Sequence, residues 1–280
     1  MLRSRVPLTV VAAHRDDAEP MSLADRFDAF FLDLDGVVYV GDQAVPGAPE
    51  AIARLRADGK RILFLTNDPR RARRDYAVKL ERLGIPATED EVLTSAWATA
   101  VYLAGHEGAG KSVYVIGTEA LKDEMRGARL RVLEGDAGLD ADIVVVGGHG
   151  GFDYRELKTA SQAVRRGARL YACGRDATFP MPDGPWPATG AIVAAVETAS
   201  GATAIAVGKP EPAMFEAARA VIGAVERIAM VGDNPSSDIE GGRRAGLTTI
   251  LVDASGAVAE PPADVVVAGL GDLLEDVPDE

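Results

Sequence analysis

Two aspartates directly follow an apolar run near the start of the chain, and their position suits chemistry. The apolar run at 29–32 is followed by Asp33, Leu34 and Asp35. Such a run predicts a buried strand of a parallel sheet, and these sheets bind ligands at the carboxyl ends of their strands. Carboxylates placed there are costly unless a cation or a reaction requires them. Asp33 and Asp35 are therefore candidates for a catalytic or metal-binding site.

The spacing of the two carboxylates predicts separate roles in phosphoryl transfer. Residues two apart in an extended segment point to the same side, so Asp33 and Asp35 can act on one substrate. Beside a metal ion, Asp33 could attack phosphorus in line with the leaving oxygen. Asp35, kept protonated by its anionic neighbour, could donate a proton to that oxygen and then deprotonate the water that hydrolyses the aspartyl-phosphate.

Three further predicted strands end in polar residues that suit the same reaction. These are Thr66, Asn67 and Asp68 after the strand at 63–65, Lys209 after Val207 and Gly208, and Asp233 and Asp238 after the strand at 229–231. The hydroxyl, the amide and the backbone N–H groups opening a helix at 66–68 could hold an oxyanion, and Lys209 adds a cation. Together with the aspartates, this set suits a Mg²⁺ ion and a phosphoryl group.

Strand-like runs alternate with helical patterns, which predicts an α/β fold. The expected core is a Rossmann-like doubly wound parallel sheet, with a second α/β unit inserted in it. The core strands are predicted at 28–34, 61–65, 204–207, 227–231 and 248–252, with helices at 49–57, after Pro69 and at 95–104. The inserted unit has predicted strands at 112–116, 143–146 and 169–172, and helices at 119–126, 154–166 and 191–198.

The predicted organisation has three parts. They are a loose N-terminal extension at 1–22, a core domain formed by 23–110 and 204–280, and the inserted unit at 111–203. The Gly-rich run at 105–110 marks the boundary at which the chain leaves the core domain and enters the inserted unit. The strand at 204–207 is expected to return the chain to the core. Met21 is a candidate start, because the apolar patch before it is too short and broken for a signal peptide or a membrane span.

Composition restricts the partners and the compartment. A formal net charge of -13 over 280 residues argues against a nucleic-acid or membrane surface, because either would want a basic face. An anionic substrate would therefore need a local positive site. Cys173 is the only cysteine in the sequence, so no intramolecular disulfide can form, and a reducing cytoplasm is expected.

Four motifs occur in order along the chain. They are Asp33-Leu34-Asp35-Gly36-Val37, Thr66-Asn67, Gly208-Lys209-Pro210, and Gly232-Asp233-Asn234 through Asp238. Together they resemble the haloacid dehalogenase superfamily of phosphohydrolases, and within it the 4-nitrophenylphosphatase-like subclass IIA. The resemblance implies that Asp33 is the nucleophile and Asp35 the acid and base. It also implies that Thr66 and Lys209 hold phosphate, that Asp33, the Asp35 carbonyl and Asp233 bind Mg²⁺, and that Asp238 supports the metal site. Gly36 and Asn67 join the expected phosphate- or substrate-binding residues.

The same resemblance implies that the inserted unit is a cap that closes over the site and selects the leaving group. Asp176 matches the family's Asn-Pro-Asp run, while Arg175 departs from it and could bind a second anionic group on the substrate. His149 stands in a Gly-rich loop and is another candidate substrate contact. Each has a structural alternative, Arg175 as a surface charge and His149 as a turn residue. Relatives often dimerise through the cap, so a homodimer is expected.

The motifs and the family resemblance predict a cytoplasmic, Mg²⁺-dependent phosphomonoester hydrolase. Its expected substrate is a small phosphorylated metabolite, such as a sugar, glycerol, glycolate or nucleoside phosphate. One alternative is a catalytically weak protein with the same fold that serves as a phosphate-ligand binding or regulatory protein. Another is a hydrolase of carbon–halogen or carbon–phosphorus bonds. Asp35 argues against the latter, because those reactions need no second acidic residue to protonate an ester oxygen.

Overall fold

Parallel strands and the helices that cover them form most of the chain. The computed structural model describes residues 22–179, 183–253 and 260–275. In chain order the strands are β1 (Ala29–Asp33), β2 (Tyr39–Val40), β3 (Gln43–Ala44), β4 (Arg61–Thr66), β5 (Val92–Thr94), β6 (Ser112–Gly117), β7 (Arg131–Leu133), β8 (Ile143–Gly148), β9 (Arg169–Ala172), β10 (Thr178–Phe179), β11 (Trp186–Pro187), β12 (Ile205–Ala206), β13 (Ile228–Gly232), β14 (Thr248–Val252) and β15 (Val265–Val267). The α-helices are α1 (Ala48–Ala57), α2 (Arg73–Arg82), α3 (Ser95–His106), α4 (Glu119–Gly127), α5 (Tyr154–Arg165), α6 (Thr189–Ser200), α7 (Pro212–Ile222) and α8 (Glu240–Arg244).

The first sheet has β1 near its centre. Its strand order is β15-β14-β13-β1-β4-β5, and the neighbouring strands are parallel. Phe30 and Leu32 of β1 pack into a hydrophobic cluster on one face, while Ala29 and Phe31 pack into a cluster on the other. Burial on both faces explains why the run is continuously apolar rather than alternating. The predicted doubly wound parallel sheet is confirmed.

The inserted unit, together with the strand β12 that follows it, forms a second parallel sheet with helices α4 to α6. Its strand order is β12-β9-β8-β6-β7. Ile143 and Val145 of β8 pack in one cluster with Ala100 and Leu103 of α3. Helix α3 also places Ala98 in the core of the first sheet. This helix therefore joins the two sheets.

The strand predicted at 204–207 does not return the chain to the first sheet, and that prediction is wrong. Ile205–Ala206 pairs in parallel with Tyr171 and Ala172 of β9, at the edge of the second sheet. A short apolar run has the composition of a strand in either sheet, and the free edge of β9 decides which one it joins. The chain crosses back to the first sheet after Ala206.

The helix predicted after Pro69 begins later than expected. Helix α2 starts at Arg73, and the Asp68 carboxylate accepts the Arg70 backbone N–H at 3.0 Å. A short polar side chain that bonds a nearby backbone N–H competes with helical hydrogen bonding, so a turn precedes the helix. The N–H groups at 66–68 therefore do not open a helix, and their expected role in holding an oxyanion stays a prediction.

Three short strands of the two sheets carry no clear signal in the sequence. They are β5, β7 and β15, each of three residues. A run of this length shows neither alternation nor a long apolar stretch. Each is an edge strand of its sheet, so it is defined by pairing with a longer neighbour.

Candidate active site

Three neighbouring strands of the first sheet end at one edge and carry the polar residues of the motifs. β1 ends at Asp33, β4 ends at Thr66, and β13 ends immediately before Asp233. Because β1 lies between β13 and β4 in a parallel sheet, these carboxyl ends meet at the same edge. Strand pairing thus brings together motifs that are far apart in the sequence.

Lys209 lies buried between two carboxylates. Its Nζ contacts Asp33 Oδ1 and lies 2.6 Å from Asp238 Oδ1. Burial alone would lower the pKa of Lys209, but the charges of Asp238 and Asp33 outweigh it and hold the pKa above its usual value. The lysine therefore stays protonated. A fixed cation in this place can hold the oxygen atoms of a phosphoryl group.

Burial dominates the electrostatics of Asp33. It raises the pKa of the carboxyl well above the usual value; Lys209 opposes the rise, and Asp238 and Asp233 add to it. Negative charge is thus in excess around the single lysine. A further cation at this edge would stabilise the ionised form of Asp33.

Asp33, Asp233 and Asp238 form a group that fits a metal ion. One carboxylate oxygen of each lies within 4.8 Å of the other two. Burial raises the pKa of Asp233 to about 6, and the neighbouring Asp238 adds to the rise. Asp238 Oδ1 is buried, and the Lys209 Nζ at 2.6 Å is its charged partner. Three carboxylate oxygens held this close together suit a hard divalent cation such as Mg²⁺.

A π-helical turn at Pro235–Ile239 places Asp238 beside the strand end. Asn234 precedes the turn, and its side chain accepts the Ser236 N–H at 3.0 Å. Asp238 Oδ2 accepts the Asn234 N–H at 3.1 Å. A Cβ on Gly232 would lie 2.2 Å from Asp238 Cβ, so glycine lets the turn fold back on β13. Such turns are rare and occur frequently at functional sites.

Gly36 makes room for Asp233. It has a φ of +88°, and a Cβ there would lie 1.9 Å from Asp233 Oδ2. Its N–H donates to Tyr39 O at 2.8 Å, which closes the turn from β1 into the β2–β3 hairpin. No pattern in the sequence indicates this steric role of Gly36. The expected binding of phosphate or substrate by Gly36 stays a prediction.

Gly36→Ala is expected to lower turnover by about 10- to 100-fold, because the new Cβ displaces Asp233 by a large fraction of an ångström or more. The concentration of Mg²⁺ needed for half-maximal activity should rise as well. Gly41→Ala is the matched control: its φ is also positive, at +57°, but nothing lies within 4 Å of the new Cβ. In both variants the alanine must adopt the left-handed backbone conformation of the glycine, which costs about 1 kcal/mol. Identical Mg²⁺ titrations of activity for the two variants would contradict the prediction.

Asp35 comes two residues after the end of β1, and its side chain is partly exposed to solvent. Partial burial raises its pKa; Lys79 opposes the rise and Asp68 adds to it. Lys79 Nζ lies 3.4 Å from the centre of the Tyr39 ring, over the turn that carries Asp35. The raised pKa suits a carboxyl that donates a proton. Lys79 is not among the predicted site residues, because it lies in a charged helix and belongs to no motif.

Arg70 is also not among the predicted site residues. Its guanidinium pairs with Asp68 at 2.7 Å and lies 4.3 Å from the centre of the Phe179 ring, which belongs to the inserted unit. Burial would raise the pKa of Asp68, but the hydrogen bonds from Arg70 outweigh it and hold the pKa below its usual value. The basic run at 70–74 is the available signal, and only the fold shows that Arg70 and Arg73 reach the inserted unit, Arg73 by pairing with Glu124 at 3.2 Å.

Thr66 and Asn67 follow the same strand but have different partners. Thr66 is buried, and its Oγ1 accepts the Asp68 N–H at 3.1 Å. The Asn67 carboxamide bonds the backbone of Lys209 and the side chain of Asp176. Asn67 and Asp176, both predicted as substrate-binding, thus contact each other across the two units.

Arg175 and His149 bond residues of the inserted unit. Arg175 donates to Glu197 Oε1 at 2.8 Å and to Ala204 O at 2.7 Å. His149 Nε2 lies 2.9 Å from Glu156 Oε1. These partners give both side chains structural contacts, in line with the structural alternatives. Their substrate contacts stay predictions.

Comparisons with known proteins agree with this geometry. One family model, described as a haloacid dehalogenase-like hydrolase, matches residues 30–131, and a second, HAD-hydrolase-like model matches 206–273. Chronophin from Mus musculus is 39% identical over 253 residues, which cover 87% of this chain and 86% of chronophin. A 5'-nucleotidase from Bacillus subtilis is 34% identical over 227 residues, covering 81% of this chain and 87% of that protein.

A solved structure shows the same fold. The glycerol phosphate phosphatase from Mycobacterium tuberculosis, in complex with magnesium, matches with a TM-score of 0.84 and 34% identity. The match covers 91% of this chain and 78% of that one. The resemblance predicted from the four motifs is confirmed. The chain belongs to the haloacid dehalogenase-like hydrolase family, among its phosphatases of subclass IIA.

Proposed function

We propose that the chain is a Mg²⁺-dependent phosphomonoester hydrolase that works through an aspartyl-phosphate on Asp33. The convergence of Asp33, Asp233 and Asp238 around the buried Lys209 carries this proposal. The cluster combines a place for a divalent cation with a fixed ammonium group. A phosphomonoester, which bears up to two negative charges at neutral pH, needs both.

In the first step, a carboxylate oxygen of Asp33 attacks phosphorus, and the ester oxygen leaves on the opposite side. Asp35 gives its proton to that oxygen, and its raised pKa favours the protonated acid that this role requires. Lys209 and Thr66 hold the phosphoryl oxygens that do not react. Mg²⁺, held by Asp33, Asp233 and the Asp35 carbonyl with Asp238 beside them, would offset the negative charge of the phosphoryl group.

In the second step, Asp35 accepts a proton from water. The oxygen of that water attacks phosphorus of the aspartyl-phosphate, and the bond from phosphorus to the Asp33 oxygen breaks. Inorganic phosphate leaves, and both carboxyl groups return to their starting states. One residue thus acts as acid and then as base, which is possible because the alcohol leaves before water enters.

The substrate is proposed to be a small phosphorylated metabolite. Two relatives are named for action on a nucleotide and on glycerol phosphate, which are small phosphate esters with different leaving groups. Sugar, glycerol, glycolate and nucleoside phosphates are the candidates.

Phosphate release from a panel of these esters, measured with Mg²⁺ and with a chelator, tests the proposal. Mg²⁺-dependent release from one or more esters is the expected result. No release from any ester would favour the alternative of a phosphate-binding or regulatory protein, which calorimetry with inorganic phosphate would then detect. Breakdown of haloacids or phosphonates in place of esters would favour a hydrolase of carbon–halogen or carbon–phosphorus bonds.

Asp35→Asn is expected to affect substrates according to their leaving group. With glycerol phosphate, turnover should fall by about 10²- to 10⁴-fold, because the alkoxide needs a proton to leave. With 4-nitrophenyl phosphate, a rapid burst of one nitrophenolate per enzyme should precede slow turnover, because this group leaves unprotonated but hydrolysis of the aspartyl-phosphate still lacks its base. Stopped-flow absorbance measures the burst.

Asp42→Asn is the control for Asp35→Asn, since Asp42 is an exposed carboxylate in the β2–β3 hairpin, which follows the turn that carries Asp35. It should behave like the wild type with both substrates. Equal losses with the two esters and no burst would show that Asp35 is not the general acid.

A homodimer through the inserted unit and a cytoplasmic location are also proposed. The dimer follows from the family resemblance, and sedimentation of the full chain would test it. The location is supported by the single cysteine of the sequence, Cys173, which leaves no intramolecular disulfide to form. None of the helices in the described ranges is long and apolar enough to cross a membrane.

A further inference from the structure

We infer that Asn67 is a positioning residue that holds the catalytic lysine in place and links its position to the inserted unit through Asp176. This inference rests on the proposed function, because it concerns the same site. It differs from the prediction that Asn67 and Asp176 bind substrate directly. The hydrogen bonds of Asn67, and the contact between the lysine segment and the end of β9, carry this inference.

The Asn67 carboxamide pairs with both backbone groups of Lys209. The Lys209 N–H donates to Asn67 Oδ1 at 2.8 Å, and Asn67 Nδ2 donates to Lys209 O at 2.9 Å. Asn67 itself is held in place, since Ser95 Oγ donates to its backbone carbonyl at 2.7 Å. A carboxamide offers a donor and an acceptor side by side, so it can bond one residue's N–H and C=O together. The first sheet thereby fixes the backbone from which the lysine side chain extends.

The second N–H of the same carboxamide reaches the inserted unit. Asn67 Nδ2 lies 3.1 Å from Asp176 Oδ2. Asp176 follows β9, whose end also contacts the segment before the lysine: the Gly208 N–H donates to Cys173 O at 3.1 Å. A Cβ on Gly208 would lie 2.2 Å from Cys173 O and 2.9 Å from Asn67 Oδ1. The lysine segment is therefore packed between the inserted unit and Asn67.

This arrangement transmits the position of the inserted unit to the nucleophile. Lys209 Nζ contacts Asp33 at one end of the lysine, while Asn67 holds its backbone at the other. A shift of the lysine by ~1 Å can cost about 100-fold in rate. Asn67 and Asp176 should thus influence catalysis through Lys209, whatever the leaving group of the substrate.

The experiment compares four variants with the wild type: Asn67→Ala, Asp176→Ala, Asp176→Asn and the double alanine variant. For each one, kcat is measured with an ester that the wild type hydrolyses, and inhibition is measured with inorganic phosphate as the competitive inhibitor. Asn67→Ala should lower kcat by about 10- to 100-fold and weaken phosphate inhibition by about tenfold. Asp176→Ala should lower kcat by about 3- to 10-fold, equally for large and small leaving groups. The double variant should be no slower than Asn67→Ala, because Asp176 acts through Asn67. Asp176→Asn keeps an oxygen acceptor and should restore wild-type kinetics.

Thr118→Val is the matched control. Thr118 Oγ1 donates to Arg70 O at 2.9 Å, so the variant removes another hydrogen bond between the two units without touching the lysine. It should leave kcat and phosphate inhibition within about twofold of the wild type, as expected for one exposed neutral hydrogen bond.

Hydrogen exchange provides a readout that does not need turnover. The peptide at 207–211 should exchange faster in Asn67→Ala than in the wild type or Thr118→Val, since the Lys209 N–H loses its acceptor. Unchanged exchange there, or additive effects of the two alanine substitutions, would overturn the inference. Asp176 effects that appear in KM and vary with the leaving group would also overturn it and indicate direct substrate contact. A wild type that hydrolyses no ester would instead refute the proposed function, and the exchange result would still decide whether Asn67 holds the lysine.

Discussion

Asp33→Asn is expected to lower turnover by about 10⁴-fold or more, with the fold intact. The amide has the shape of the carboxylate, but it does not attack phosphorus and gives a metal ion no negative charge. Asp33 ends the buried central strand, and its carboxylate contacts the Lys209 ammonium that is proposed to hold the phosphoryl group. Phosphate release at saturating Mg²⁺ and thermal denaturation of the same sample measure the two parts of the prediction.

Asp28→Asn is the matched control for Asp33→Asn. Asp28 precedes the same strand at its opposite end and pairs with Arg227 on the surface. Surface ion pairs contribute about 0–1 kcal/mol, so this variant should keep wild-type turnover and nearly all of its stability. If Asp33→Asn kept more than about a tenth of the wild-type rate, a direct attack by water would replace the aspartyl-phosphate mechanism.

Lys209→Met is expected to reduce both stability and activity. The free energy of unfolding of the metal-free protein should fall by about 3–5 kcal/mol, because Asp33 and Asp238 remain buried without their cation. Turnover should fall by about 10²- to 10³-fold, since a fixed positive charge on the phosphoryl group is lost. Mg²⁺ should restore part of the stability by binding the same carboxylates in the folded state. Urea denaturation with and without Mg²⁺ measures the first effect, and phosphate release measures the second.

Lys60→Met is the control for the stability effect. Lys60 is also largely buried, with 13% of its side chain exposed, and its Nζ donates to Phe27 O at 2.9 Å, away from the candidate site. Removal of this hydrogen bond should cost about 1 kcal/mol and leave turnover unchanged. A Lys209→Met variant no less stable than Lys60→Met would show that the buried carboxylates do not depend on the lysine.

Local sequence patterns account for most of the elements that position the site. The strands predicted at 169–172 and 248–252 have the same bounds in the structure. Strands buried on both faces must be apolar throughout, so they are visible as runs that end at polar or glycine residues. The position of Ile205–Ala206 was not predictable in this way, because a short edge strand is defined by the neighbour to which it pairs.

The sequence by itself identified the fold class and the candidate chemical groups, because residue type and the position of a strand end are local properties. Asp33, Thr66 and Asp233 could be expected at one edge, since parallel strands all end on the same side. Only the tertiary structure decided what each side chain contacts. Asn67 pairs with the backbone of Lys209, and Gly36 makes room for Asp233, although each pair is far apart along the chain. Such contacts depend on how distant segments of the chain pack together, and that packing leaves no periodic pattern in the sequence.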